Sequence, residues 1–114
     1  MANGSVNPRR ANGAKRDRVR GKVLREESHC HLCGLPVDTS LTHGLPASPE
    51  VDELIPVALG GSPFDRANCR LAHRYCNRLR WHGPVEPARA HLRANPPPFA
   101  PMTPPPNPVS SRRW

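Results

Sequence analysis

Two pairs of metal-binding residue types constrain this chain more than any other feature of its sequence. Two residues separate Cys30 from Cys33, and two separate His73 from Cys76. This spacing lets both side chains of a pair converge on one tetrahedral ion, and sets of four Cys and His residues are typical of structural zinc. The 39 residues from 34 to 72 separate the pairs, which excludes a single compact finger with a spacer of about 12 residues. We therefore expect one Zn²⁺ to tie two distant segments together.

The part of the chain available for a folded core is short, which makes such a cross-link necessary. Eight of the 16 prolines lie between Pro96 and Pro108, so residues 95–114 are expected to be a disordered Pro-rich tail. Residues 1–20 contain mainly Gly, Asn, Arg and Lys, and we expect a disordered basic arm. Residues 21–94 remain as one α+β domain. About 70 residues bury little apolar surface alone, whereas a zinc ion adds on the order of 10 kcal/mol to the folding of small domains.

The fourth cysteine, Cys69, competes with His73 for a place in the ligand set. On a strand its side chain would point with those of Leu71 and His73, so we expect a small buried apolar residue rather than a ligand. No signal peptide or membrane-spanning run is visible, which predicts a cytoplasmic protein without a membrane partner. In a reducing compartment, closely spaced cysteines favour a metal over a disulfide.

The charge of the chain is positive and unevenly distributed. The net charge is +8. Residues 1–25 contain eight Lys or Arg and one Asp, whereas residues 26–94 contain seven Arg and eight acids. A basic arm beside a near-neutral core indicates a polyanionic partner such as DNA, although a merely solubilising segment is the alternative. Inside the core, acids occupy residues 26–55 and arginines occupy residues 65–82, which suits either a phosphodiester-cleaving site or an intramolecular charge match.

Apolar periodicity and turn residues outline the secondary structure. The expected elements are a short helix in 17–28, strands in 50–59 and 67–73, a helix over 74–81 and one weak helical turn before residue 94. A second interpretation stays open for the middle of the chain. Four arginines, at every fourth position from Arg66 to Arg78, would also lie on one face of a single helix over 66–81.

Oxygen-bearing side chains between the two pairs are candidates for a second metal site. Asp52 and Glu53 are adjacent, and Asn68 and Asn77 follow them. Carboxylate and amide oxygens suit Mg²⁺ or Mn²⁺, with phosphate completing the coordination shell. On a strand, Asp52 and Glu53 point to opposite faces, so one would hold the ion while the other acts beside it. A solvated strand end with a turn-capping Asn68 explains the same residues.

These motifs occur together in an order that resembles a known family. The segments CHLCG, VDELIP, the Gly-Gly pair, AN and HRYCN with a basic residue soon after resemble the HNH endonucleases, especially small ones encoded by actinobacteria and their phages. The similarity covers residues 30–80. It implies a ββα-metal (His-Me finger) hairpin and helix stapled by zinc, and metal-dependent cleavage of one or both DNA strands. It further implies a role in phage DNA packaging beside a terminase, in the host cytoplasm.

The resemblance also implies roles for single residues. Asp52 and Asn77 match ligands of the catalytic divalent cation, Mg²⁺ or another, and Asn68 matches the residue that fixes the loop and the general base. Glu53 stands where the family has its general-base His. A free Glu has a pKa of about 4.3 against about 6.5 for His, so it is the weaker base. The alternatives are that Glu53 binds the cation or that another His, in the preceding loop or after the helix, supplies the base.

Arginines near the second pair and the basic N-terminal arm are expected to bind DNA phosphates, which gives position without sequence specificity. The expected set is Arg70, Arg74, Arg78 and Arg80. A different function also fits the sequence, in which a non-catalytic zinc module binds DNA or assists packaging. In that case Asp52 and Glu53 carry no chemistry.

Overall fold

The fold is α+β, with a two-stranded antiparallel sheet and three α-helices within the described residues. The computed structural model describes the backbone of residues 8–101 and the side chains of residues 12–101. Along the chain, the elements are α1 (Pro8–Glu26), β1 (Pro49–Glu53), β2 (Cys69–His73), α2 (Arg74–Arg80) and α3 (Val85–Ala94).

The hairpin and the helix after it carry the centre of the fold. β1 and β2 pair in antiparallel register, with Asp52 opposite Arg70 and Glu53 opposite Cys69. α2 begins directly after the last residue of β2. The second predicted strand and the helix over 74–81 are therefore confirmed, whereas the first strand, predicted over 50–59, ends at Glu53 and is followed by a short 3-10 helix at Val57–Leu59. The alternative of one helix over 66–81 is wrong, because Cys69 and Leu71 bury completely when this segment pairs with β1.

The loop between the strands closes around one asparagine side chain. Asn68 Oδ1 accepts a hydrogen bond from the Ile55 amide at 2.8 Å, and Nδ2 donates to the carbonyl oxygens of Ile55 at 3.0 Å and Ser62 at 3.1 Å. Gly60 adopts a left-handed conformation with φ of 96°. A Cβ on Gly61 would overlap the Ile55 carbonyl oxygen, so the loop requires glycine at this close approach. Asn68 thus fixes the chain that leaves β1.

α1 is longer than the sequence predicted. The disordered arm was expected over residues 1–20 and a short helix over 17–28, whereas one helix runs from Pro8 to Glu26. Proline suits the first helical turn, and Ala, Arg and Lys favour its continuation. Its second half packs against the core, where Val23 is fully buried. Residues 1–7 lie outside the described residues.

The C-terminal part of the domain also extends past its predicted boundary. α3 is a ten-residue helix rather than one turn, and it buries Ala88 and Leu92 on one face. The first described residues of the expected tail contact the core, where the Phe99 ring centroid lies 4.6 Å from that of His73. Burying the apolar surface of an aromatic ring such as Phe99 lowers the free energy of the fold. This explains why the packed region continues beyond residue 94. The later tail residues, 102–114, are not described. No helix within residues 8–101 has the length and apolar character needed to cross a bilayer.

Glu27 fastens the end of α1 to β2. Its carboxylate accepts hydrogen bonds from the Leu71 amide at 3.1 Å, from Arg66 Nη2 at 2.8 Å and from Arg70 Nε at 3.1 Å. Burial raises the pKa of Glu27, but the bonds from Leu71, Arg66 and Arg70 outweigh burial, so the pKa lies below its ordinary value. The carboxylate is therefore bound more favourably in its ionised form.

Replacing Glu27 with Gln is expected to make the stability less dependent on pH in acid. The pKa of Glu27 is lower in the folded protein than the ordinary value of 4.5, so its ionisation stabilises the fold above that value. The contribution is lost as the pH falls through the lowered folded pKa. Urea titrations in saturating metal should give a difference in unfolding free energy of about 1–2 kcal/mol at neutral pH. That difference should shrink in acid, and a pH-independent difference would contradict the assignment. Glu86→Gln, at a side chain that is 73% exposed, is the control.

Candidate metal centre and the surrounding polar residues

Four side chains from distant segments converge at one point and are positioned to hold a metal ion. One ligand atom from each of Cys30, Cys33, His73 and Cys76 lies within 4.8 Å of the other three. A tetrahedral ion with bonds of about 2.3 Å places its ligand atoms about 3.8 Å apart. Within residues 8–101 no other cluster of three or more His, Cys, Asp and Glu residues has such convergence. The predicted ligand set is thus brought together, and its Cys₃His composition is consistent with structural zinc.

A tight turn places the first cysteine pair. The Cys30 amide donates to the Leu35 carbonyl and the Gly34 amide donates to the Cys30 carbonyl, both at 2.9 Å. Gly34 has φ of 81°, which glycine adopts without strain. The Cys30 sulfur accepts from the amides of Leu32 at 3.4 Å and His73 at 3.5 Å. Amide groups directed at this sulfur favour its thiolate form, which is the form that binds metals.

His73 presents one ring nitrogen to the sulfurs and the other to the backbone. Nδ1 lies 3.3 Å from the Cys33 sulfur and 3.9 Å from the Cys76 sulfur. Nε2 lies 3.0 Å from the Pro36 carbonyl oxygen. A carbonyl oxygen only accepts, so Nε2 carries the hydrogen and the Nδ1 lone pair is available to a metal. This backbone contact is the usual way in which proteins orient a metal-binding histidine.

The electrostatics of the cluster favour a cation. Hydrogen bonds from Cys33 and Cys76 lower the pKa of the Cys30 thiol, and the hydrogen bond with Cys30 raises the pKa of Cys76. Burial works to lower the pKa of His73, but bonds to Cys30 and Cys33 outweigh burial and raise it to about 10. The lowered pKa of Cys30 and the raised pKa values of His73 and Cys76 show that these side chains share protons. A divalent ion that binds all four groups would displace those protons and free Nδ1 of His73 for coordination.

Cys69 lies outside the ligand set, as predicted. Its side chain is fully buried in the core, and its sulfur lies 3.6 Å from the Pro63 carbonyl oxygen. Burial raises the pKa of this thiol, so it stays protonated and acts as a small packing residue.

The purified protein is expected to contain one equivalent of a transition metal ion, measured by elemental analysis. Cys76→Ala should lose the ion and unfold, because the ion contributes on the order of 10 kcal/mol in domains of this size. Cys69→Ala should keep the ion, since it removes a buried sulfur that is not a ligand. A metal-free protein whose circular dichroism does not respond to a chelator would contradict this assignment.

Asp52 lies in a buried ion pair. Its Oδ2 accepts from Arg80 Nη1 at 2.7 Å and from His31 Nε2 at 2.8 Å, and its side chain is 6% exposed. Arg80 also donates to the carbonyl oxygens of Glu53, Leu54 and Gly83 at 2.6 to 2.8 Å. Arg80 is thus a structural residue at the end of α2. The expectation that it grips DNA is wrong, because its side chain is 2% exposed.

Nothing in the sequence indicated that His31 belongs to this buried group. It stands between the candidate ligands Cys30 and Cys33, in the tight turn of residues 30–34 (the knuckle), which was expected to act only through its cysteines. Arg89 of α3 donates from Nε to the His31 carbonyl at 2.8 Å, with its Nη2 lying 3.3 Å from His31 Nδ1. The knuckle, β1, α2 and α3 therefore meet through one chain of polar contacts. Only the tertiary fold brings these segments together.

Replacing Arg80 with Met is expected to destabilise the protein by about 3–5 kcal/mol, since it leaves the buried Asp52 carboxylate without its counter-ion. Arg78→Met is the matched control on the same helix. Its side chain is 59% exposed, so the expected change is within about 0.5 kcal/mol. Chemical denaturation of both metal-loaded variants measures the difference. An equal loss of unfolding free energy in the two variants would contradict a stabilising role for the buried Asp52–Arg80 ion pair.

Asp52 and Glu53 lie on opposite sides of β1, as strand alternation predicted. Asp52 faces α2, whereas Glu53 lines a cleft of about 320 Å³ together with Arg16 and Arg20 of α1. Asn77 donates from Nδ2 to Glu50 Oε1 at 2.8 Å. Glu50, which sequence analysis did not single out, therefore shares the α2-facing side of β1 with Asp52. Its position two residues before Asp52 could have indicated this common face.

The remaining candidate arginines are engaged with acids of the same chain. Arg70 contacts Glu27 at 3.1 Å, and Arg74 and Arg78 lie 3.4 and 3.9 Å from Glu50. These contacts match the acidic and basic halves of the core to each other. The segregated charge of the sequence thus serves intramolecular pairing, one of its two initial interpretations.

Comparison with known proteins adds no assignment to this geometry. No family model, curated protein or solved structure matches the chain. Any function therefore has to be argued from the residues and contacts described above.

Proposed function

We propose that this protein is a small, zinc-stapled, metal-dependent DNA endonuclease of the HNH type. One observation carries the proposal: the Cys₃His cluster joins the knuckle to the junction of β2 and α2. That arrangement corresponds to the hairpin and helix expected of a ββα-metal unit. The residues that resemble the family motif, from Asp52 to Asn77, all lie on this unit or on its loop.

Unused oxygen atoms support a cation site beside α2. Within the described residues, Asp52 Oδ1 accepts no hydrogen bond, although the side chain is almost fully buried, and Asn77 Oδ1 accepts none either. A buried carboxylate oxygen normally has a protein, water or ion partner, so this oxygen is a candidate cation ligand. Asp52 and Asn77 would hold Mg²⁺ or a similar ion, with Arg80 orienting the Asp52 carboxylate. Such an ion would supply Lewis-acid stabilisation of charge on a phosphate bound at the α2 side of β1, across the strand from Glu53.

Glu53 is the proposed general base. It is half-buried in the cleft between β1 and α1, which Arg16, Arg20, Asp17 and Glu50 also line. Its carboxylate would accept a proton from the attacking water. Asn68 fixes the chain that follows Glu53 through its bonds to Ile55, so it acts as a positioning residue.

Glu53→Gln is expected to reduce plasmid nicking in Mg²⁺ or Mn²⁺ by at least about tenfold, because a general base contributes about 10² to 10⁴ to rate. Glu53→His should preserve or raise the rate if this position holds the base. Glu86→Gln, on the exposed surface of α3, should leave it unchanged. Equal background nicking by the native protein and Glu53→Gln would remove the enzymatic proposal.

A second function is favoured by the Asp52–Arg80 ion pair. A guanidinium already neutralises this carboxylate, and Glu53 faces the opposite side of the strand. A non-catalytic zinc module that binds DNA, or assists packaging beside a terminase, would need neither group to react. DNA binding without metal-dependent nicking would select this alternative.

A further inference from the structure

We propose that α1 is the element that binds the phosphate backbone of duplex DNA. This inference rests on the proposed function, since it names the surface through which the substrate binds. From the sequence, the core arginines and an unstructured N-terminal arm were expected to contact DNA. The contacts within the fold instead favour the helix α1 as the DNA-binding element.

The first step is the distribution of unpaired positive charge. The core arginines from Arg66 to Arg80 each lie within 4 Å of an acid of the same chain. Between residues 12 and 101, by contrast, no Lys or Arg of α1 forms such an ion pair. The excess positive charge of the described residues therefore resides on α1, and a polyanion is its complement.

The second step is the arrangement of these cations along the helix. Four exposed residues follow each other at spacings of three, four and three, which aligns them on one face. This stripe consists of Lys15, Arg18, Lys22 and Arg25. It extends over about 15 Å, since each helical residue rises about 1.5 Å. The Lys15 ammonium lies 5.5 Å from the Phe64 ring centroid, so the stripe runs beside the loop that connects the strands.

The third step separates the stripe from the cleft that contains Glu53. Arg16 and Arg20 project from the other side of α1, because each helical residue turns by about 100°. They line the cleft together with three acids, Asp17, Glu50 and Glu53. These acids offset the two guanidinium groups, so the stripe is the part of α1 whose positive charge is left for an external polyanion.

An anionic membrane is a poorer partner for the same helix. Helices that bind membranes need an exposed apolar face opposite the basic one. The apolar residues of α1, Val19, Val23 and Leu24, pack against the protein core instead. The helix thus offers charge without an insertable face, which fits a hydrophilic polyanion.

The test compares two charge-matched variants of the full-length, metal-loaded protein. Arg18→Gln/Lys22→Gln removes two cations of the stripe, and Arg74→Gln/Arg78→Gln removes two from α2. Fluorescence anisotropy with a labelled DNA duplex, at salt concentrations from about 0.05 to 0.2 M, gives Kd and its salt dependence. Metal content and circular dichroism confirm that both variants fold, since all four positions lie on the protein surface.

We expect the α1 variant to raise Kd at least about tenfold and to reduce the slope of log Kd against log salt by about 2. The α2 variant should raise Kd less than about threefold, because its arginines are already paired with Glu50. Equal weakening by both variants would show a response to net charge alone and would overturn the inference. Unchanged binding by the α1 variant would also overturn it, as would binding of an RNA duplex of the same sequence at least tenfold more tightly than DNA.

The outcome is separable from that of the proposed function. If nicking occurs while the α1 variant binds normally, the endonuclease stands and the binding surface lies elsewhere. If the α1 variant loses binding while no nicking is found, the surface stands on a non-catalytic protein.

Discussion

The convergence of three cysteines and one histidine is the interaction on which the rest of this structure depends. The knuckle at Cys30 and the junction of β2 and α2 at His73 are far apart in sequence, and the sheet between them has only two strands. Such a sheet is marginal in water without further packing. An ion held by all four side chains would fix the hairpin, the helix and the knuckle in one geometry, because each segment supplies ligands that the others cannot replace.

A second constraint comes from the burial of charge beside this cluster. Asp52, Arg80 and His31 occupy one polar group that touches the knuckle, β1 and α2. Ionised groups that are removed from water must find partners, and here the partners come from segments that the metal cluster already holds together. Within the described residues, the second carboxylate oxygen of Asp52 accepts no hydrogen bond from the protein.

As a result of these two constraints, the positively charged side chains have different roles on different faces of the protein. The core arginines stabilise the fold by pairing with Glu27 and Glu50, so they no longer dominate the outward electrostatic field. The exposed cations of α1 retain that role. Glu53 lies in the cleft where α1 meets β1, on the side of the strand opposite Asp52.

The sequence by itself determined the ligand set, the two strands, the helix that follows them and the burial of Cys69, because short spacings and strand alternation are local properties of the chain. Other features depended on the tertiary structure. No local pattern shows that Arg80 turns inward to Asp52 or that Glu50 accepts a hydrogen bond from the side-chain amide of Asn77. Burial and pairing of charge depend on which distant segments meet, and these meetings are decided by packing around the cluster.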